Sequence, residues 1–409
     1  MKILFVTPFY KPVPNFITSS VAEKLAQDHS VTVVTAHPNY PLGKFYPEVD
    51  SIMPKCTTES RVKVWRLPVF PSHGKSKIKR LLNYISHLLM FLIWCPIANL
   101  RPDLVLVYQT PFTNGLAVLW YKWFLRVPII HISADLWPES FEASGVKPPS
   151  WLLKSMYIFS KWINSTASHI IATSKGMRAR YIKDGFPREN ISVIPLWTEA
   201  AQTGSAAQAA AKGKFTVVYV GNIGVAQKID TVLQAASLLR DDKEIKFEIY
   251  GGGVEEESLR NLVSTLKLTN VHIGGRVSPQ EANRICSSAS CQIVHLTKSS
   301  FYDSIIPSKL SFSLSIGTPI LAGIQGEGLE MVREIGAGEP FEPENPISLA
   351  ASIKRIKGLS ENEIQAMRMN STAYFQKNLS PNRLLEEYSK LIDEAPFSAR
   401  QSSERNLYG

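Results

Sequence analysis

The chain is poor in cysteine: 409 residues contain only Cys56, Cys95, Cys286 and Cys291, with no CxxC pair. That pattern argues against a disulfide-stapled scaffold and fits a reduced protein with buried or idle thiols. The eight histidines (His29, His37, His73, His87, His131, His169, His272 and His295) are scattered, and no His/Cys/Asp cluster has ligand spacing, so no metal is expected. The longest nearly continuous apolar run, Leu88–Ala98, is 11 residues, short of the roughly 20 that cross a bilayer. The first residues, Met1-Lys2-Ile3-Leu4-Phe5-Val6-Thr7-Pro8, read as a strand and lack a signal peptide's long apolar region and cleavage site. Low-complexity sequence is confined to the Ala/Gln/Ser-rich stretch Ala200–Ala211.

A chain this long predicts two domains. Residues 200–214 then serve as the linker between a first domain, 1–199, and a second, 215–375. A terminal segment, 376–409, would carry a helix around Asn382–Asp393 back to the first domain and end in a polar tail after Pro396. The charge is uneven. Residues 1–200 hold 23 Lys and Arg against 12 Asp and Glu, and the remainder 22 against 23. Different partners are implied for the two halves, with nucleic acid or an anionic membrane as candidates for the basic one.

Strands alternate with helical patterns. In the first half they are expected at Ile3–Thr7, Ser30–Thr35, Val62–Arg66, Leu104–Tyr108, Pro128–Ile132, His169–Thr173 and Ser192–Pro195. In the second half they are expected at Val217–Val220, Lys246–Tyr250, Val271–Gly274, Cys291–Leu296 and Pro319–Ala322. This is the pattern of parallel α/β sheets covered on both faces. Two strands stop at glycines and open into helices: one before Gly221-Asn222-Ile223-Gly224, the other before Gly251-Gly252-Gly253. Glycine allows close backbone approach, and a helix N-terminus attracts phosphate. Such turns also occur wherever a parallel strand meets its helix, so both readings stand.

Three segments of the basic half mix aromatics with cations. The first runs from Lys75, Lys77, Lys79 and Arg80 into Leu88–Ala98, the second holds Trp120, Tyr121, Lys122, Trp123 and Arg126, and the third Trp151, Lys154, Tyr157, Lys161 and Trp162. The alternative for each is a buried helix packed against the sheet; together they favour contact with an anionic membrane surface, and no nucleic-acid partner is expected.

Several stretches resemble family 4 of the GT-B glycosyltransferases, in particular the bacterial branch building capsule, colanic-acid and O-antigen units, including N-acetyl-fucosaminyl transferases. They are His37-Pro38-Asn39-Tyr40-Pro41, Asp135-Leu136-Trp137-Pro138-Glu139-Ser140, Gly221–Gly224 with Gln227, Asn270–Gly275, and Ile306-Pro307-Ser308-Lys309-Leu310 through Pro319. The resemblance implies an α/β GT-B fold: two facing doubly wound Rossmann-like domains with a cleft between them. The second domain would bind a UDP-sugar through Gly221, Asn222, Gly224, Gln227, Gly251, Gly252, Ser308, Lys309 and Leu310. The first would bind an undecaprenyl-diphosphate-linked acceptor, with Asn15, Phe16, His37, Asn39 and Tyr40 on the acceptor side. Placement would be cytoplasmic and peripheral, on the anionic inner-membrane face. The implied outcome is retention of configuration without cofactor or metal.

Transfer requires a neutralised leaving diphosphate and a place for the acceptor proton. Lys309 is the expected cation, and Asp135 and Glu139 are the expected catalytic carboxylates; Asp135 could equally cap its turn, and Glu139 could brace the loop. The sequence departs from the family in three ways. Asn222 and Gln227 stand where cations are common. Phe312 stands where a ribose-binding glutamate is usual, and Tyr10–Phe16 replaces a glycine pair. Because a phenyl ring accepts no ribose hydrogen bond, a degenerate membrane-bound scaffold or partner-dependent subunit is an alternative. A sugar-nucleotide epimerase would leave the basic aromatic half unexplained. An NAD oxidoreductase lacks its G-x-G-x-x-G and acidic ribose residue.

Overall fold

A computed structural model describes residues 1–14, 16–49, 51–72, 77–140, 148–198 and 213–394, without the side chains of Phe16, Lys77 and Arg80. Asn15, Lys75, most of the expected linker and the polar tail lie outside the described residues.

The first sheet contains β1 (Lys2–Val6), β2 (Ser30–Ala36), β3 (Lys55–Glu59), β4 (Val62–Leu67), β5 (Leu104–Tyr108), β6 (Ile129–Ser133), β7 (His169–Ala172) and β8 (Ile191–Val193). Its order is β3-β4-β2-β1-β5-β6-β7-β8, parallel except for β3, which pairs antiparallel with β4. The second sheet contains β9 (Phe215–Asn222), β10 (Ile245–Gly252), β11 (Val271–Gly275), β12 (Cys291–His295), β13 (Ile320–Gly323) and β14 (Gly338–Pro340), in the order β11-β10-β9-β12-β13-β14, all parallel. This is the GT-B architecture. Reversal of strand order beside β1 and beside β9 opens a crevice at the strands' carboxyl ends, where ligands of such sheets bind.

The central strands β5 and β6 are buried along their whole length, as sheets covered on both faces require. β3 was not anticipated: Lys-Cys-Thr-Thr-Glu carries almost no apolar signal, and its pairing with β4 is reinforced by the Glu59–Arg66 bridge at 2.7 Å. β14, three residues long, was also missed. The helix Pro381–Glu394 inserts Leu384, Tyr388 and Ile392 into the first sheet's core beside Trp197.

The helix Lys77–Ile97 is both buried and exposed. Phe91 and Cys95 enter the core, whereas Ile78 is 73% exposed and Leu81, Leu89, Ile93 and Ile97 also face outward. On the same domain Trp123 is 57% exposed, and the helix Ser150–Ser165 exposes Trp151 by 69% and Trp162 by 42%. The rings of Trp123 and Trp162 lie 6.1 Å apart, joining two of these patches. No helix among the described residues is long and apolar enough to cross a membrane.

Candidate active site

At the carboxyl edge of the second sheet, Gly221 pairs with Gly251 and Asn222 with Gly252. Gly221 and Gly251 have φ of 150° and 149°. A Cβ on Gly251 would lie 1.8 Å from the Gly221 carbonyl oxygen, and one on Gly253 2.1 Å from that of Ile223. These glycines are therefore required by backbone packing against backbone. The helix after the second glycine turn, Glu256–Thr265, opens with Glu256 and Glu257 and follows Glu255. These carboxylates favour the helix dipole and repel an added phosphate. Gln227 is also occupied: its Oε1 accepts from the Gly224 backbone N–H at 3.2 Å and from Asn222 Nδ2 at 3.1 Å, bracing the first glycine loop.

Lys309 begins the helix Ser308–Ile316, which Leu310 and Leu314 anchor in the core. Leu310 is thereby committed to packing, and Ser308 is exposed. The lysine stem passes beneath Gly221, where a Cβ would sit 2.7 Å from Nζ and 2.9 Å from Cε. Nζ lies 3.3 Å from the Tyr219 ring centroid, and Tyr219 Oη donates to the Asn222 carbonyl at 2.5 Å. Although the residue as a whole is half-buried, its Nζ is out of solvent contact with no hydrogen-bond partner. Burial pushes the ammonium down to about 7; the Cys286 thiol, itself pushed up by burial to about 12, offsets this slightly. A buried cation without a partner anion is costly, which makes this position receptive to a phosphate.

Arg276 was missed by the sequence reading. It follows the turn at Gly275, and its guanidinium lies over Gly252, where a Cβ would be 2.7 Å from Nε. The only signal was its place one residue beyond the Asn270–Gly275 stretch. Phe312 packs in a cluster with Val218, Val220, Tyr250, Val277 and Cys286.

Across the cleft, Asp135 follows β6 in a loop whose Leu136 packs with Phe301 of the second half. Hydrogen bonds also join the halves here: Ser174 Oγ donates to the Ser304 carbonyl at 2.5 Å, and the Gly176 backbone N–H to Glu327 at 3.1 Å. Residues 300–304 thus sit against the first domain just ahead of the helix carrying Lys309. Asp135 retains solvent contact, yet surrounding protein is dense enough to push its carboxyl up to about 6. Glu139 bonds Arg180 at 2.9 Å; Arg180 also holds Asp184 at 3.1 Å and lies 5.3 Å from the Tyr157 ring centroid. The Trp137 ring stacks on Phe112 at 4.6 Å. Together with Tyr157, Lys161 and Asn164 these residues line a cavity of about 150 Å³.

Of the residues expected on the acceptor side, Asn15 lies outside the described residues, and His37, Asn39 and Tyr40 lie elsewhere, at the β1–β2 end. His37 is buried and its Nε2 donates to the Met53 carbonyl at 2.9 Å; Asn39 Nδ2 donates to the His37 carbonyl at 2.8 Å. Tyr40 packs 5.2 Å from the Phe9 ring. Asn39 and Tyr40 border a small void of about 20 Å³ shared with Phe9 and His87. Phe16 starts the helix Phe16–Leu25. His37, Asn39 and Tyr40 do not line the cavity of Asp135.

Comparison with known proteins agrees with this fold. The model of the glycosyl transferase 4-like domain matches residues 15–197, and that of glycosyl transferases group 1 matches residues 202–375. The chain belongs to family 4 of the GT-B glycosyltransferases, and it is a glycosyltransferase. It is 26% identical over 412 residues to the putative colanic acid biosynthesis glycosyl transferase WcaI of Escherichia coli, covering 95% of this chain and 98% of that protein. It is 24% identical to the probable glycosyltransferase WbjE of Pseudomonas aeruginosa, covering 79% and 82%. The structure of Anabaena HepE with UDP and glucose superposes with a TM-score of 0.70 at 15% identity, covering 96% and 100%, and shares the fold.

Proposed function

We propose that this protein transfers a sugar, with retention of configuration, from a UDP-sugar to an undecaprenyl-diphosphate-linked oligosaccharide in bacterial surface-polysaccharide synthesis. The observation carrying the donor assignment is the buried, unpartnered Lys309 ammonium beneath Gly221. Lys309, with Ser308 at the helix start and Arg276 over Gly252, neutralises the departing diphosphate; Gly221 and Asn222 present backbone to it. HepE, of the same fold, was crystallised with UDP and glucose.

In the transfer, the acceptor oxygen forms its bond to the sugar's anomeric carbon as that carbon's bond to the phosphate oxygen breaks. The bonding electrons leave with the nucleoside diphosphate, and the acceptor proton passes to Asp135. A carboxyl held near 6 suits that task at neutral pH. Glu139, paired with Arg180, holds the loop that carries Asp135. No metal or cofactor is required by this scheme, since a lysine, an arginine and a helix start supply the positive charge.

The exposed apolar faces of the helices Lys77–Ile97 and Ser150–Ser165, with Trp123 between them, support a peripheral seat on the cytoplasmic face of an anionic membrane. The relatedness to WcaI supports a role in polysaccharide synthesis.

A thermal-shift panel of nucleotide-sugars, followed by transfer assays with lipid-linked acceptor, tests this reading. A UDP-sugar should raise the melting temperature most, because a ligand bound only by the folded state stabilises it. No shift with any nucleotide-sugar would contradict the donor assignment. Phe312, seated among apolar side chains, favours a second reading, a donor-binding scaffold that does not turn over. Turnover by the wild-type chain removes that reading; turnover only by Phe312→Glu supports it.

A further inference from the structure

We infer that the cavity walled by Trp137, Tyr157, Asp135, Lys161 and Asn164 is the seat of the acceptor's terminal sugar, replacing the β1–β2 pocket expected from sequence; this rests on the transferase reading above.

Three observations converge. At about 150 Å³ the cavity falls below the ~300 Å³ where drug-sized ligand sites begin, so it suits a single sugar ring rather than a nucleotide. Its lining mixes aromatic surface with hydrogen-bonding groups of both kinds: the Asp135 carboxylate accepts, the Lys161 ammonium donates, and the Asn164 amide can do both. That combination matches a sugar, whose C–H faces pack on rings and whose hydroxyls donate and accept. The pocket is also held in shape. Phe112 backs the Trp137 ring, Arg180 covers Tyr157, and Gln109 Nε2 donates to Asn164 Oδ1 at 2.9 Å.

The third observation is the wall itself. Tyr157, Lys161 and Asn164 lie on the helix Ser150–Ser165, whose adjoining face exposes Trp151 and Trp162. One helix therefore presents polar groups to the pocket and an apolar face beside it to solvent, the juxtaposition a sugar carried on a lipid requires. By contrast, the β1–β2 void of about 20 Å³ has room for about one water. His37 and Asn39 spend their hydrogen bonds internally there.

The full-length protein with Lys161→Ala and, separately, Asn164→Ala is assayed with UDP-sugar and lipid-linked acceptor extracted from membranes. The acceptor KM should rise at least tenfold, while donor KM and acceptor-independent UDP-sugar hydrolysis stay within twofold. Lys161→Arg should restore most of the acceptor affinity, and the circular dichroism melt of Lys161→Ala should match wild type, whereas Asn164→Ala, which leaves the buried Gln109 amide without its partner, should melt lower. A rise in donor KM instead would give the cavity to the donor sugar, and no change in either would make it structural; both overturn the inference while leaving the transferase reading intact. Independently of turnover, saturation-transfer NMR with simple methyl glycosides should show contact in the wild-type chain and lose it in both alanine variants. No saturation transfer from any glycoside would overturn the assignment even if UDP-sugar hydrolysis is present.

Discussion

Lys309 Nζ lies 3.3 Å from the Tyr219 ring centroid, directly under the backbone of Gly221. The aromatic face partly compensates a cation taken out of water, but no anion accompanies it. Because burial lowers its pKa to about 7 from 10.5, the folded chain sheds this proton at a pH where the unfolded chain retains it. Stability from this group therefore rises as pH increases from about 7 towards 10.5.

A ligand diphosphate should reverse that discharge. Calorimetric titration of UDP at pH 8, in buffers of different ionisation enthalpy, should show net proton uptake by the wild-type chain. Lys309→Met should abolish the uptake and weaken UDP binding at least tenfold. Equal proton balance in both proteins would remove Lys309 from the donor site.

The glycine pair at the sheet edge predicts a folding defect rather than a binding defect. Gly251→Ala places a methyl 1.8 Å from the Gly221 oxygen at a φ of 149°. A cost of about 3 kcal/mol in urea unfolding is expected, against a change under about 0.5 kcal/mol for an exposed helical control such as Glu330→Ala. Tolerance of the methyl at Gly251 would mean that this edge is open for ligand approach.

Asp135 and Glu139 separate by pH behaviour. The Asp135 carboxyl binds its proton up to about 6 in the folded chain, against 3.8 ordinarily, so stability falls as pH rises across that window and the penalty persists at neutral pH. Asp135→Asn should lower transfer by about 100-fold or more and raise stability slightly, by under about 1 kcal/mol given its solvent contact. In contrast, Glu139→Gln breaks the Arg180 pair, and should cost about 1 kcal/mol while leaving the acid limb of the rate profile near pH 6. Rate–pH profiles and thermal melts of both variants check this. A displaced acid limb in the Glu139 variant would exchange their roles.

Membrane seating is tested by flotation with anionic and zwitterionic vesicles. Replacing Trp123, Trp151 and Trp162 by serine should reduce recovery with both vesicle types, and neutralising Lys75, Lys77, Lys79 and Arg80 should reduce it only with anionic ones. Recovery equal to wild type in all cases would reject this surface.

The sheets were legible because their strands are short apolar runs ending at glycine or proline, a signal set by local chain geometry. β3 was not, because an edge strand covered by polar pairing needs no apolar residues. For the Lys77–Ile97 segment, burial and membrane contact had been alternatives; a helix has two sides, and Phe91 and Ile93 take one each. In the proposed site, Lys309, Asp135 and Glu139 stand in contiguous stretches that the sequence displays directly. Their partners were not: Arg180 lies 41 positions from Glu139, and Gln227 gives its side chain to the Gly224 amide through loop geometry that no spacing announces. At His37 and Asn39, expected on the acceptor side, the sequence did not show that the side chains hydrogen-bond the Met53 and His37 carbonyls, partners set by loop geometry.

The most direct test of the donor assignment is a crystal structure of the chain soaked with UDP. The account predicts the diphosphate at the carboxyl end of β9, contacting Ser308 and within hydrogen-bonding distance of Lys309 Nζ. UDP bound away from both residues, or no UDP at saturating concentration, would contradict it.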